Sequence, residues 1–99
     1  MPLDLEKVIG FQWDAGNETK SVDRHSVSRR EAEEAFADQR LRLVEDAAHS
    51  KSELRYHAFG ETKEGRLLQV SFTIRGNLIR VISARSMNRR ERKMYESQN

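Results

Sequence analysis

Leu67-Leu68-Gln69-Val70-Ser71-Phe72-Thr73-Ile74-Arg75-Gly76-Asn77-Leu78-Ile79-Arg80-Val81-Ile82-Ser83-Ala84-Arg85 is the stretch that decides the fold. Leu68, Val70, Phe72 and Ile74 alternate with Leu67, Gln69, Ser71 and Thr73, so a strand over 67–74 has one apolar face and one largely polar face. A second apolar run, Leu78–Ala84, follows Gly76-Asn77, and glycine at the first position of a two-residue turn supplies the positive φ of a tight hairpin. Residue 75 then faces 78, which sets Phe72 opposite Val81, Thr73 opposite Arg80 and Ser71 opposite Ile82. Arg80 falls on the polar face.

Working towards the N-terminus, Lys63-Glu64-Gly65 reads as a three-residue hairpin loop with glycine at its left-handed position, pairing Thr62 with Arg66. The same count places Tyr56 beside Phe72 in the core, His57 opposite Ser71 and Arg55 opposite Thr73, giving a row of Arg55, Thr73 and Arg80. Leu54–Gly60 and Arg42–Glu45 are further strands, separated by a polar loop over Asp46–Glu53. Ser28 and Glu31 have the spacing of a capping box, and Ala32, Ala35 and Phe36 continue it as an amphipathic helix from about Arg29 to Ala37. Val8–Trp13 reads as a strand, with Trp13 as a core anchor, and a short helix is expected from about Ala15 to Asp23. Asn88 and Glu91 open a last helix, about Arg89 to Tyr95, for which Met87, Met94 and Tyr95 supply apolar contacts. If helical geometry reaches back to Arg85, then Arg85, Arg89, Arg92 and Lys93 share one face. The expected architecture is α+β, in the order β-α-α-β-β-β-β-α, with helices packed on one face of a mainly antiparallel sheet.

The chain has 99 residues, 36% hydrophobic and 34% charged, which suits one compact core and a single domain spanning 1–99. Its apolar runs fall far short of the roughly 20 residues that cross a bilayer. The start, Met-Pro-Leu-Asp-Leu-Glu-Lys, has neither a basic nor an apolar leader region, so a cytoplasmic protein is expected. Without cysteine there is no disulfide, thiolate nucleophile or Cys-based metal site. Charge is unevenly spread: residues 75–99 hold seven Lys and Arg against two Asp and Glu, while residues 1–74 hold eleven against fourteen. Either a polyanion or an acidic protein would be drawn to the C-terminal end.

Arginines on the open side of a sheet, with a histidine two residues from one of them, suit the handling of phosphate, because guanidinium is a permanently charged planar fork. RNA cleavage without a metal ion needs a base for the 2′-hydroxyl, cations for the phosphorane charge and an acid for the leaving oxygen. His25, His57 and Glu53 are the candidates for proton transfer; Arg55, Arg80 and Arg85 are those for charge stabilisation. Plainer roles compete with each. Arg80 beside Ser and Thr suits a solvated strand face, Arg85 could pair with a helix carboxylate, His25 could cap a helix, and His49 falls in a loop. Histidines at 25, 49 and 57 lack metal-binding spacing, and no Gly-rich phosphate loop or GxSxG elbow is present, so neither metal nor cofactor is expected.

The motif order resembles that of the BrnT-type toxins: Phe11-Gln12-Trp13-Asp14, then Arg24-His25-Ser26-Val27 before a helix ending Ala35-Phe36-Ala37-Asp38, then Leu54-Arg55-Tyr56 and Gly60. Ile79-Arg80-Val81-Ile82-Ser83-Ala84-Arg85 followed by Arg90-Glu91-Arg92 and Tyr95 completes it, so the resemblance covers about residues 8–96. It implies a RelE-like fold and a metal-independent endoribonuclease that blocks translation. It further implies neutralisation by a BrnA-type antitoxin that supplies the DNA-binding part, in a complex with two copies of each protein. The positions on which activity would depend are Arg55, Arg80 and Arg85, with His25 as a further candidate; Arg89, Arg92 and Lys93 are the expected RNA contacts. Ser26 stands where the family has glycine, and Leu54 precedes Arg55 where an acidic residue is usual, with Glu53 one step earlier. A non-catalytic module that binds nucleic acid or an acidic peptide through the basic C-terminal helix is the alternative.

Overall fold

In the computed structural model, which describes residues 7–14, 26–49 and 53–97, β4 (Leu67–Arg75) and β5 (Leu78–Ser86) form the expected hairpin. Gly76 takes φ 64° in the turn, and Arg75 pairs with Leu78, Thr73 with Arg80 and Phe72 with Val81. Beyond Phe72 the register shifts: Ser71 faces Ser83, where uninterrupted counting expects Ile82. Ile82 is the extra residue of a β-bulge, which reverses the alternation along the rest of β5. Ile79, Val81 and Ala84 are buried in the core, while Arg80, Ser83 and Arg85 share the opposite face.

β3 (Tyr56–Glu61) pairs with β4 as the loop chemistry predicts, with Tyr56 opposite Phe72 and His57 opposite Ser71. Gly65 has φ 90°, and the Thr62 amide donates to the Arg66 carbonyl at 2.9 Å. The ladder starts at Tyr56, so Arg55 lies just outside it, and the Thr73 hydroxyl donates to the Leu54 carbonyl at 2.7 Å. β2 (Arg42–Glu45) adds antiparallel to β3, and β1 (Gly10–Gln12) adds parallel to β5. The five-stranded sheet has the order β1-β5-β4-β3-β2.

α1 (Arg29–Phe36) starts in the expected box: the Glu31 amide donates to Ser28 Oγ at 3.1 Å, and the Ser28 amide donates to Glu31 Oε1 at 2.9 Å. Its Ala32 and Ala35 pack on Val70, Phe72, Val81 and their neighbours. Ala35 approaches β3 so closely that a Cβ on Gly60 would lie 2.2 Å from its carbonyl oxygen. Trp13 packs against this core and its indole N–H donates to Glu33 at 2.7 Å.

The expectation that the helices share one face is corrected by α2 (Arg89–Glu96). Gly60 faces α1, so strand alternation turns Phe59 the other way, beside Leu67. Met87, Met94 and Tyr95 cover this second apolar patch, and α2 therefore lies on the face opposite α1. The buried Tyr95 hydroxyl donates to the Asp38 carboxylate, which also accepts the Arg40 and Glu61 amides. Burial, reinforced by that bond, pushes the Tyr95 phenol up to about 12. Helical geometry begins only at Arg89, so Arg85 belongs to β5 and is not part of the helix stripe. The helix expected over 15–23, and His25, lie outside the described residues; the elements seen run β-α-β-β-β-β-α, with a 3-10 turn at Ala47–His49 after β2. Among the described residues no helix is long and apolar enough to cross a membrane.

Candidate active site

The second face carries three transverse rows, the third of which α2 covers at Phe59. Gln12, Arg80 and Thr73 form one; Ser83, Ser71, His57 and Val44 the next; Arg85, Gln69, Phe59 and Arg42 the third. Same-face rows are about 7 Å apart. The serine and histidine row thus runs between the rows that carry Arg80 and Arg85.

Both arginines are held by carboxylates in a two-pronged geometry. Arg80 Nη1 and Nη2 donate to Asp14 at 2.8 and 3.2 Å, and Nη1 reaches Gln12 Oε1 at 3.5 Å. Arg85 Nη1 and Nη2 donate to Glu91 at 2.8 and 2.9 Å. Glu91 also accepts the Asn88 amide at 2.9 Å, so one carboxylate caps α2 and orients the strand arginine. Burial works to raise the Glu91 carboxyl, but the Arg85 and Asn88 hydrogen bonds and the Arg85 charge together hold it below the ordinary value. The same hydrogen bonds from Arg85 to Glu91 raise the guanidinium further.

His57 lies between these pairs. Its Nδ1 is 2.9 Å from Ser71 Oγ and 3.0 Å from Gln69 Nε2, and its Nε2 is 3.2 Å from Asp46 Oδ2. When protonated, it is close enough to Glu91 to favour the ionised carboxylate there. At the other end Arg75 donates to Glu53 at 3.0 and 3.3 Å. That hydrogen bonding, with the charges of Arg75, Arg55 and Arg80, holds the Glu53 carboxyl low, so Arg55 and Arg80 both lie within electrostatic reach of it.

Of the expected site residues, the structure brings Arg80 and Arg85 to one face, while Arg55 precedes β3 and acts electrostatically on Glu53. Arg89, Arg92 and Lys93 are exposed on α2, with Arg92 Nη1 donating to the Met87 carbonyl at 3.4 Å. Sequence reasoning missed Asp14 and Asp46 as partners. Asp14 follows β1, whose parallel pairing left no turn signal, and Asp46 lies in a stretch read only as loop. Among the described residues, no cluster of three His, Asp or Glu side chains is arranged to hold a metal ion.

Fold and site define a small α+β protein whose mostly antiparallel sheet bears arginines and a histidine on one open face. Over residues 13–91 the chain matches the family described as the ribonuclease toxin BrnT of type II toxin–antitoxin systems, and it belongs to that family. The family is one of toxins paired with antitoxins, which makes an antitoxin protein the expected class of partner. The crystal structure of the Brucella abortus ribonuclease toxin BrnT is similar, with a TM-score of 0.60 and 19% sequence identity over 83% of this chain and 100% of that one. At that identity the likeness is one of fold. No curated protein matches the chain.

Proposed function

We propose that this chain cleaves RNA without a metal ion, blocks translation in the cytoplasm, and is neutralised by a BrnA-type antitoxin in a complex with two copies of each protein. The fold is then of the RelE-like kind, and the antitoxin carries the contacts to DNA. The observation that supports this reading is the placement of Arg80 and Arg85 on one open face, either side of the His57 row.

Attack of a 2′-hydroxyl on the adjacent phosphorus concentrates negative charge on the non-bridging oxygens. A guanidinium fork matches those oxygens as it matches a carboxylate. In the free protein Asp14 and Glu91 occupy the forks and keep them oriented at the face. An incoming phosphodiester replaces or shares these carboxylates, and Arg80 and Arg85 then stabilise the transition state. Arg55 adds positive charge at the Glu53 end, and Arg89, Arg92 and Lys93 draw in the flanking strand; His25 is a further candidate for the chemistry.

Purified, chelator-treated protein incubated with total RNA tests this. The wild type should cleave, and Arg80→Ala and Arg85→Ala should each slow cleavage by roughly 10²–10³-fold, the usual effect of deleting one transition-state donor. The same variants should relieve the growth arrest caused by expression. Cleavage at the wild-type rate by both folded variants rejects the site. RNA bound in a salt-sensitive way but left intact would instead identify a non-catalytic binding module.

A further inference from the structure

We infer that His57 is the proton acceptor for the attacking 2′-hydroxyl, acting through Ser71, with Asp46 as its positioning residue. This rests on the RNA-cleavage reading above and names the base which that reading lacks.

An amide N–H can only donate, so Gln69 Nε2 at 3.0 Å leaves His57 Nδ1 with a lone pair and no proton. The imidazole proton is then on Nε2, 3.2 Å from Asp46 Oδ2. The Ser71 hydroxyl, 2.9 Å away, shares that one lone pair with the Gln69 amide, and its other acceptor, Gln69 Oε1, is further off at 3.5 Å. Carboxylate and hydroxyl contact opposite nitrogens of the imidazole, the arrangement by which a carboxylate fixes a tautomer and stabilises the imidazolium formed from it. The position of the hydroxyl matters. Ser71 is on β4, one strand from His57 and one strand from the β5 arginines, so a phosphodiester over Ser71 is within reach of both base and cations. The charged groups that act on the imidazole are Asp46 from the β2–β3 connection and Glu91 from α2, the latter paired with Arg85 of β5. A solvated strand face has no need of a histidine saturated at both nitrogens by three side chains.

In the step, the 2′-hydroxyl proton passes to Ser71 Oγ as the serine proton passes to His57 Nδ1. The 2′-oxygen bonds to phosphorus and the bond from phosphorus to the 5′-oxygen breaks. The leaving oxygen takes a proton from water, and the imidazolium returns its proton to the hydroxide so formed. The products are a 2′,3′-cyclic phosphate and a 5′-hydroxyl.

The test is single-turnover cleavage of a short RNA oligonucleotide by the full chain. His57→Gln keeps an N–H for Asp46 and so keeps the fold, yet should lose 10²–10⁴-fold in rate, the usual worth of a general base, with RNA binding unchanged. Added imidazole should restore part of the activity of His57→Ala. Asp46→Asn should lower kcat with KM held, and Asp46→Glu should recover most of it. Wild-type rates in folded His57→Gln, or a defect in His57→Ala that imidazole leaves untouched, overturn the inference while the cleavage reading stands. Intact RNA with the wild type overturns both.

Discussion

Single side chains here do more than one task, and Glu91 is the clearest case. As the third residue of α2 it completes a capping box with Asn88 through Oε1, and with both oxygens it holds the Arg85 fork. Its carboxyl is depressed below the ordinary 4.5, so the folded state takes up a proton less readily than the unfolded state. The sign follows: this contribution to stability is complete above pH 4.5 and is lost as pH falls through the lower folded value. Thermal midpoints of the wild type and Glu91→Gln should therefore converge as pH falls below 4.5. A gap that stays constant over that range rejects the assignment. Ser26 makes a different point. It adopts φ 56°, the left-handed region that favours glycine, so the turn before α1 carries a serine where glycine would be less strained. Arg66 helps to hold it, donating to the Ser26 carbonyl at 2.8 Å while pairing with Glu31 at 3.2 Å.

Strand and helix contacts explain which predictions were within reach. Both hairpins were legible because glycine in a short loop sets the register, and a set register assigns every side chain to a face. The bulge was not. Ile82 satisfies the apolar pattern of its strand, and nothing in that pattern marks it as the extra residue. Uninterrupted alternation from Arg80 would have turned Arg85 towards α1; the bulge turns it to the open face. The close approach of α1 was half legible in Ala32 and Ala35, but the demand it places on Gly60 belongs to the packed structure. Gly60→Ala would put a methyl group against the backbone of Ala35, and the helix must shift. Loss of roughly 1–3 kcal/mol is expected in denaturant unfolding, the usual cost of overpacking. A neutral result rejects the close approach of α1 to β3.

Across the whole molecule the surplus of positive charge towards the C-terminus has to be read against its partners. Arg75, Arg80 and Arg85 are each paired with a carboxylate, while Arg89, Arg92 and Lys93 are exposed on α2. RNA affinity should fall with salt, and Arg89→Ala, Arg92→Ala and Lys93→Ala should each reduce the slope of log K against log salt concentration by about 0.7. Slopes unchanged in all three would remove α2 from the interface. The sequence by itself determined the two hairpins, the capped helices, the placement of Arg80 opposite Thr73 and of His57 opposite Ser71, and the absence of any cysteine chemistry. These follow from turn geometry, capping and side-chain period, all of which act over a few residues. Tertiary structure alone decided that α2 crosses to the second face, that Arg85 joins Arg80, and that Asp14 and Asp46 come to Arg80 and His57. Each of those depends on segments far apart in the chain meeting across the sheet, and no local spacing encodes such a meeting.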